Sequence, residues 1–221
     1  ARAQLVHLAT GERSLGPWPV GRGEVDEASA RAAAVLVLFG VLDGLPSDHD
    51  AQARAVSRDL DVLLLARAET LRSHAGQIAF PGGGVDPGDE GPVGAALREA
   101  REETGLDPAG VEVLGALGAV PIPVSGYLVT PVLGWWTRPT TVGAVDPAES
   151  VEVFRVPVAD LLDPARRRTT VFRRAGRTWR GPGFVVSPNG REHVVWGFTA
   201  LVLDGLFDRL GWTEEWDRGR L

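Results

Sequence analysis

Gly84 to Leu106 reads GVDPGDEGPVGAALREAREETGL, closing on Arg98, Glu99, Ala100, Arg101, Glu102, Glu103, Thr104, Gly105 and Leu106. Pro92 suits the first turn of a helix, and Gly105 suits the residue just past its end. Between them Val93, Ala96, Leu97 and Ala100 form an apolar stripe at helical spacing. Glu99, Glu102 and Glu103 stand at i, i+3 and i+4, which places three carboxylates on one shared face. They fall in the last turns, where negative charge opposes the helix dipole, and their mutual repulsion is a second penalty. A helix that keeps both penalties is expected to grip a cation. Oxygen-only donors favour a hard divalent ion, Mg²⁺ or Mn²⁺.

The pattern Gly84, five residues, Glu90, seven residues, Arg98-Glu99, two residues, Glu102-Glu103, one residue, Gly105-Leu106 resembles the box of the Nudix hydrolases at every specified position. The flank extends the resemblance. Leu63-Leu64-Leu65-Ala66-Arg67-Ala68, then Arg72, Gly76 and Phe80-Pro81-Gly82-Gly83, are similar to the second signature of the coenzyme A pyrophosphatase branch of that family. Leu65 stands where that branch usually has Thr. Ser125 to Pro131 and Val195 to Ala200 also look like that branch, so the resemblance runs from about Ala33 to Leu206.

The resemblance implies an α/β chain with the Nudix fold, an α/β/α sandwich around a mixed β-sheet. It implies metal-dependent hydrolysis of a diphosphate linkage, foremost in coenzyme A or acyl-CoA. Glu99, Glu102 and Glu103 are the expected metal ligands, Glu102 the favoured proton acceptor, and Arg98 the residue that orients the carboxylates. Glu90 is expected to brace the loop, and Arg101 to be solvated. Gly82 and Gly83 would let backbone approach the phosphates, and Arg67 and Arg72 would bind them; His74 reads as ordinary loop packing. Glu149 and Glu152 read first as an exposed strand end and second as contributors to the site. Two other functions stay open: a Nudix pyrophosphatase acting on NADH, ADP-ribose, a nucleotide sugar or a damaged nucleotide, and a nucleotide-sensing module without turnover.

With 221 residues the chain can bury a real core as one domain. Hydrophobic content of 44% and a formal charge of −6 suit a globular protein and argue against general nucleic-acid binding. There is no Cys, which fits a cytoplasmic setting. The longest apolar run, Ala32 to Leu42, is too short to span a bilayer. The expected partner is therefore a small-molecule diphosphate, with neither nucleic acid nor membrane, and a homodimer is left open as the assembly state.

The expected organisation is an N-terminal extension over 1–30, one hydrolase domain over 31–212 and a tail over 213–221. Leu5 to Leu8 reads as a short strand. Ala33–Phe39 and Leu60–Ala66 read as buried neighbouring strands, and Gly44 to Arg58 as a loop or short helix. Ser73 to Gly84 reads as loop. Further strands are expected over 111–117, 129–136 and 151–156, with a short helix near Ala159–Leu162. Residues 169–186 read as a meander, and the arginines of residues 166–180 (Arg166, Arg167, Arg168, Arg173, Arg174, Arg177 and Arg180) as a solvated face. Trp135, Trp136 and Trp196 read as core or as a wall for a base. Phe198, Leu201, Val202, Leu206 and Leu210 mark a closing amphipathic helix.

Overall fold

The computed structural model describes residues 1–11, 30–41, 46–68, 76–123, 125–174 and 177–221. Its centre is β1 (Arg31–Val41), whose apolar run is continuous because both faces of the strand are covered. β2 (Leu60–Arg67) pairs antiparallel with the far end of β1, Phe39 opposite Val62. The two strands then diverge, and two short segments fill the opening. β3 (Ile78–Ala79) pairs with β2, and β4 (Gly82–Gly84) pairs with the start of β1, Ala34 opposite Gly83. The glycine run expected as loop is thus a strand. Gly82 tolerates no side chain there, since a Cβ would lie 2.3 Å from the Ala34 carbonyl oxygen.

Helix α2 (Gly91–Thr104) follows. β5 (Val111–Ala116), β6 (Val120–Ile122) and β7 (Tyr127–Trp136) come next. β7 runs parallel to β1 from Arg31↔Tyr127 to Phe39↔Trp135, while β5 and β6 pair with β7 antiparallel. β8 (Ser150–Pro157) closes the other edge of β2, and α3 (Val158–Leu162) follows it. β9 (Arg167–Arg174), β10 (Arg177–Val186) and β11 (His193–Val195) form a second, three-stranded sheet. Helix α4 (Gly197–Leu210) ends at Gly211 in the left-handed region, φ 67°.

The main sheet is mixed and buried on both faces, as the sandwich requires. Ala34, Leu36, Leu38, Leu63, Val132 and Trp136 pack on one face against Ala95, Ala96 and Ala100 of α2. Val37, Phe39, Val62, Leu64 and Leu133 pack on the other against Val202, Leu203, Leu206 and Phe207 of α4. No helix among the described residues is long and apolar enough to cross a membrane.

Two further expectations are corrected. Leu5 to Leu8 lies in a helix, α1 (Arg2–Thr10), because Leu5 is drawn into the core and Gln4 Oε1 accepts the indole N–H of Trp212 at 2.9 Å. A four-residue apolar run cannot separate strand from helix by pattern alone. The arginine-rich hairpin is not solvated throughout: Arg167 is fully buried, paired with Asp204 and stacked 4.3 Å from the Phe184 ring centroid. Its partners are supplied by α4 and β10, so only the tertiary fold could bury it. The buried face of α4 is also wider than its apolar stripe, since Thr199, Ala200, Leu203 and Phe207 are covered too. The sequence also offers a turn at Ala175-Gly176, which lies outside the described residues.

Candidate functional site

The α2 helix turns its small residues to the sheet and its charges to the opening between β1 and β2. Pro92 lies in its first turn, and Gly105 ends it at φ 70°, donating its N–H to the Arg101 carbonyl. Glu103 faces β4. Its Oε2 accepts the Gly82 N–H at 2.9 Å, and its Oε1 lies 3.7 Å from Nη1 of Arg67. Glu99 covers Gly83 so closely that a Cβ there would stand 2.5 Å from the Glu99 carboxyl carbon. Glu102 is half exposed at the rim.

Arg98 ties the ridge together. Its Nη1 donates to Glu99 Oε1 at 2.8 Å and to Glu102 Oε2 at 3.2 Å. Its Nη2 donates to the Gly84 carbonyl at 3.0 Å. Its Nε and Nη2 grip both oxygens of Asp89, at 2.9 and 3.0 Å. Asp89 is itself fixed, because Oδ2 also accepts the Asp86 N–H at 2.8 Å. The Arg98 hydrogen bonds, followed by that N–H, hold the Asp89 carboxyl below the usual carboxylate range.

Asp89 was missed in the sequence. Glu90, expected to brace this loop, is exposed at the N-cap of α2 and caps nothing with its side chain. The signal was present but ambiguous: with five residues in between, Gly84 leads to Glu90 and Gly83 leads to Asp89. Only the path of the loop shows which carboxylate meets Arg98.

The other expected residues divide. Arg67, Gly82, Gly83, Arg98, Glu99 and Glu103 come together, with Glu102 at the rim, while Arg72 and His74 lie outside the described residues. Arg101 is exposed. Glu149 is exposed, yet its charge reaches Glu103. Glu152 is held elsewhere, by Asn189 Nδ2 at 2.8 Å and by His193 Nε2 at 3.5 Å. Trp136 is core, and Trp196 is partly buried beside Phe172.

Burial, opposed by the Gly82 N–H and by Arg67 and reinforced by Glu99 and Glu149, pushes the Glu103 carboxyl up to about 7. A folded value above the unfolded 4.5 means that the folded chain binds the extra proton between the two. The contribution of Glu103 to stability is therefore complete below that window and is lost as pH rises through about 7. Glu103→Gln cannot titrate. In chelator-treated protein, wild type should lose stability relative to Glu103→Gln between about pH 5 and 8, by on the order of 3 kcal/mol at most. Parallel curves of Tm against pH for the two proteins would show that Glu103 does not carry this dependence.

Among the described residues no three His, Asp or Glu side chains converge into a finished metal cage. The donor chemistry still suits a hard divalent cation. The donors are oxygens only, one is a carboxyl whose charged form is disfavoured chiefly by its burial, and Glu99 occupies the space that a side chain at residue 83 would fill.

Comparison with known proteins finds likenesses in sequence and in structure. The family profile described as NUDIX domain matches residues 49–176. A protein of Photorhabdus laumondii described as an uncharacterized Nudix hydrolase, NudL, is 39% identical over 146 residues, which is 66% of this chain and 74% of that protein. The NudL protein of Salmonella paratyphi B is 41% identical over 151 residues, 68% of this chain and 75% of that one. The crystal structure of a Nudix hydrolase from M. smegmatis, RenU, is similar at 25% identity and a TM-score of 0.45, over 61% of this chain and 74% of that one.

Proposed function

Because this chain belongs to the Nudix family, whose hydrolases act on pyrophosphate linkages with divalent ions such as Mg²⁺ or Mn²⁺, we propose that it is a coenzyme A diphosphatase. Water attacks one phosphorus of the diphosphate, the bridging P–O bond breaks, and coenzyme A yields 3′,5′-ADP and 4′-phosphopantetheine. The observation that carries the reading is the ridge of Glu99, Glu102 and Glu103 set against Gly82 and Gly83 and organised by Arg98. The choice of coenzyme A rests on the signature around Arg67, Arg72 and Phe80 to Gly83.

In this reading Glu102 accepts the proton of the attacking water, and its exposure at the rim leaves it within reach of solvent. Arg98 orients Glu99 and Glu102 through its two short contacts. Glu99, Glu102 and Glu103 are the residues that would hold a divalent cation, which when bound neutralises charge on the diphosphate. Gly83 lets backbone approach the phosphates, with Arg72 as a further phosphate contact. The proposal extends to a cytoplasmic enzyme whose hydrolase unit spans residues 31–212, with 213–221 as a tail.

The deciding experiment incubates coenzyme A with Mg²⁺ or Mn²⁺ and separates the products. Dephospho-CoA, NADH, ADP-ribose and a nucleotide sugar are ranked beside it by kcat/KM. Preference for another member would move the chain to a different Nudix activity. Folded protein that turns over none of them would leave the sensing role, against which the three retained carboxylates stand. Asp89→Asn keeps the shape but weakens the anchor of Arg98. It should cost about tenfold in kcat/KM, as loss of an orienting partner does at comparable sites; unchanged kinetics would show that Gly84 and Glu99 suffice to hold the arginine.

A further inference from the structure

We propose that Arg67 is a positioning residue that acts through Glu103, not a contact for substrate phosphate; this rests on the reading of Glu103 as part of the hydrolytic site. Arg67 ends β2, where the register against β8 slips between residues 66 and 67. Its backbone is clamped from both sides. The Arg67 N–H donates to the Gln77 carbonyl at 3.0 Å, and the next N–H, of Ala68, donates to the Glu149 carbonyl at 2.9 Å. The side chain is less than a third exposed, and its Nε is shut off from solvent with no hydrogen-bond partner among the described residues. A guanidinium held this way cannot present the Nε edge of its fork to an incoming phosphate. What it does meet is Glu103 Oε1, at 3.7 Å.

The two arginines divide the ridge between them. Arg98 serves Glu99 and Glu102, and among the described residues it makes no bond to Glu103. Glu103 is 7% exposed, and its other oxygen is occupied by the Gly82 N–H. A carboxyl that far from water is held in one orientation only by the polar partners packed against it. For Oε1 that partner is Arg67, at a strand end held by the Gln77 and Glu149 carbonyls. Without Arg67 the buried carboxylate keeps the Gly82 N–H on Oε2 but loses the counter-charge that fixes Oε1.

A double-mutant cycle tests this. Arg67→Met should lower kcat by about tenfold or more while KM stays within roughly twofold, and Arg67→Lys should recover part of the loss. In a Glu103→Gln background, Arg67→Met should cost less than about twofold, because the group it acts through has lost its charge. The same cycle is read as Tm at about pH 8 in chelator-treated protein, where the loss from Arg67→Met should shrink once residue 103 is Gln. A KM raised about tenfold with kcat held, or losses that simply multiply, would overturn the proposal in favour of a phosphate contact. If Arg67→Met does not fold, Arg67→Lys and Arg67→Gln complete the cycle. If no diphosphate is turned over, the enzymatic reading fails, and the melting cycle still decides whether the two residues are coupled.

Discussion

Glu102→Gln should lower kcat by roughly 10²–10⁴ while leaving the fold and KM close to wild type. The amide keeps the shape of the carboxylate, and its carbonyl oxygen can still accept the Arg98 N–H that now lies 3.2 Å from Glu102 Oε2. What it loses is the ability to take a proton and the charge it would offer a divalent ion, which is why metal binding is measured beside the rate. Magnitudes separate this from a structural effect. A loss of that size is roughly 3–5 kcal/mol of transition-state stabilisation, whereas an exposed ion pair contributes about 1 kcal/mol or less. Glu102 is half exposed, so weakening its contact with Arg98 cannot account for the predicted loss. Steady-state kinetics beside a titration of Mn²⁺ binding makes the check. A fall smaller than about tenfold, with metal affinity intact, would remove Glu102 as the proton acceptor.

Gly83→Ala is the second large effect. The new methyl would stand 2.5 Å from both the carboxyl carbon and Oε1 of Glu99. Those atoms are the far end of a flexible side chain, so the carboxylate gives way and the strand does not. We expect a loss of about 10²-fold in kcat/KM, the cost of displacing a reacting group by about an ångström, with little change in Tm. Gly82→Ala is the control. Its methyl would meet the Ala34 carbonyl oxygen at 2.3 Å and the Val35 Cα at 2.7 Å, both of them backbone. That change breaks the pairing of β4 with β1 and should lower Tm sharply. Wild-type rates from Gly83→Ala would mean that the place of Glu99 over the glycine strand is not needed for turnover.

Legibility followed the range of the interactions. The acidic ridge was readable because its causes lie within one helix: a proline in the first turn, a left-handed glycine at the end, and three carboxylates three and four residues apart. The buried strands β1 and β2 were readable from continuous apolar runs. Arg167 was not, because its pairing with Asp204 spans 37 residues and exists only once α4 packs on the second sheet. The strand character of Gly82–Gly84 was hidden too, since a glycine run carries every mark of a turn. Its pairing with β1 is imposed by the gap that opens where β1 and β2 part.

Residue order by itself determined that three carboxylates share a helix face beside a glycine run, and with that the family and its phosphoanhydride chemistry. Tertiary structure alone decided what each carboxylate meets beyond its own helix: Glu99 the bare backbone of Gly83, Glu103 the Gly82 N–H and Arg67, and Glu102 the open rim. It also chose Asp89 over Glu90 as the anchor of Arg98. The reason is distance along the chain. Helical spacing is set by bonds a few residues apart, whereas a partner 21 residues away, as Gly82 is from Glu103, is chosen by which strands pair and how the loop between them is threaded.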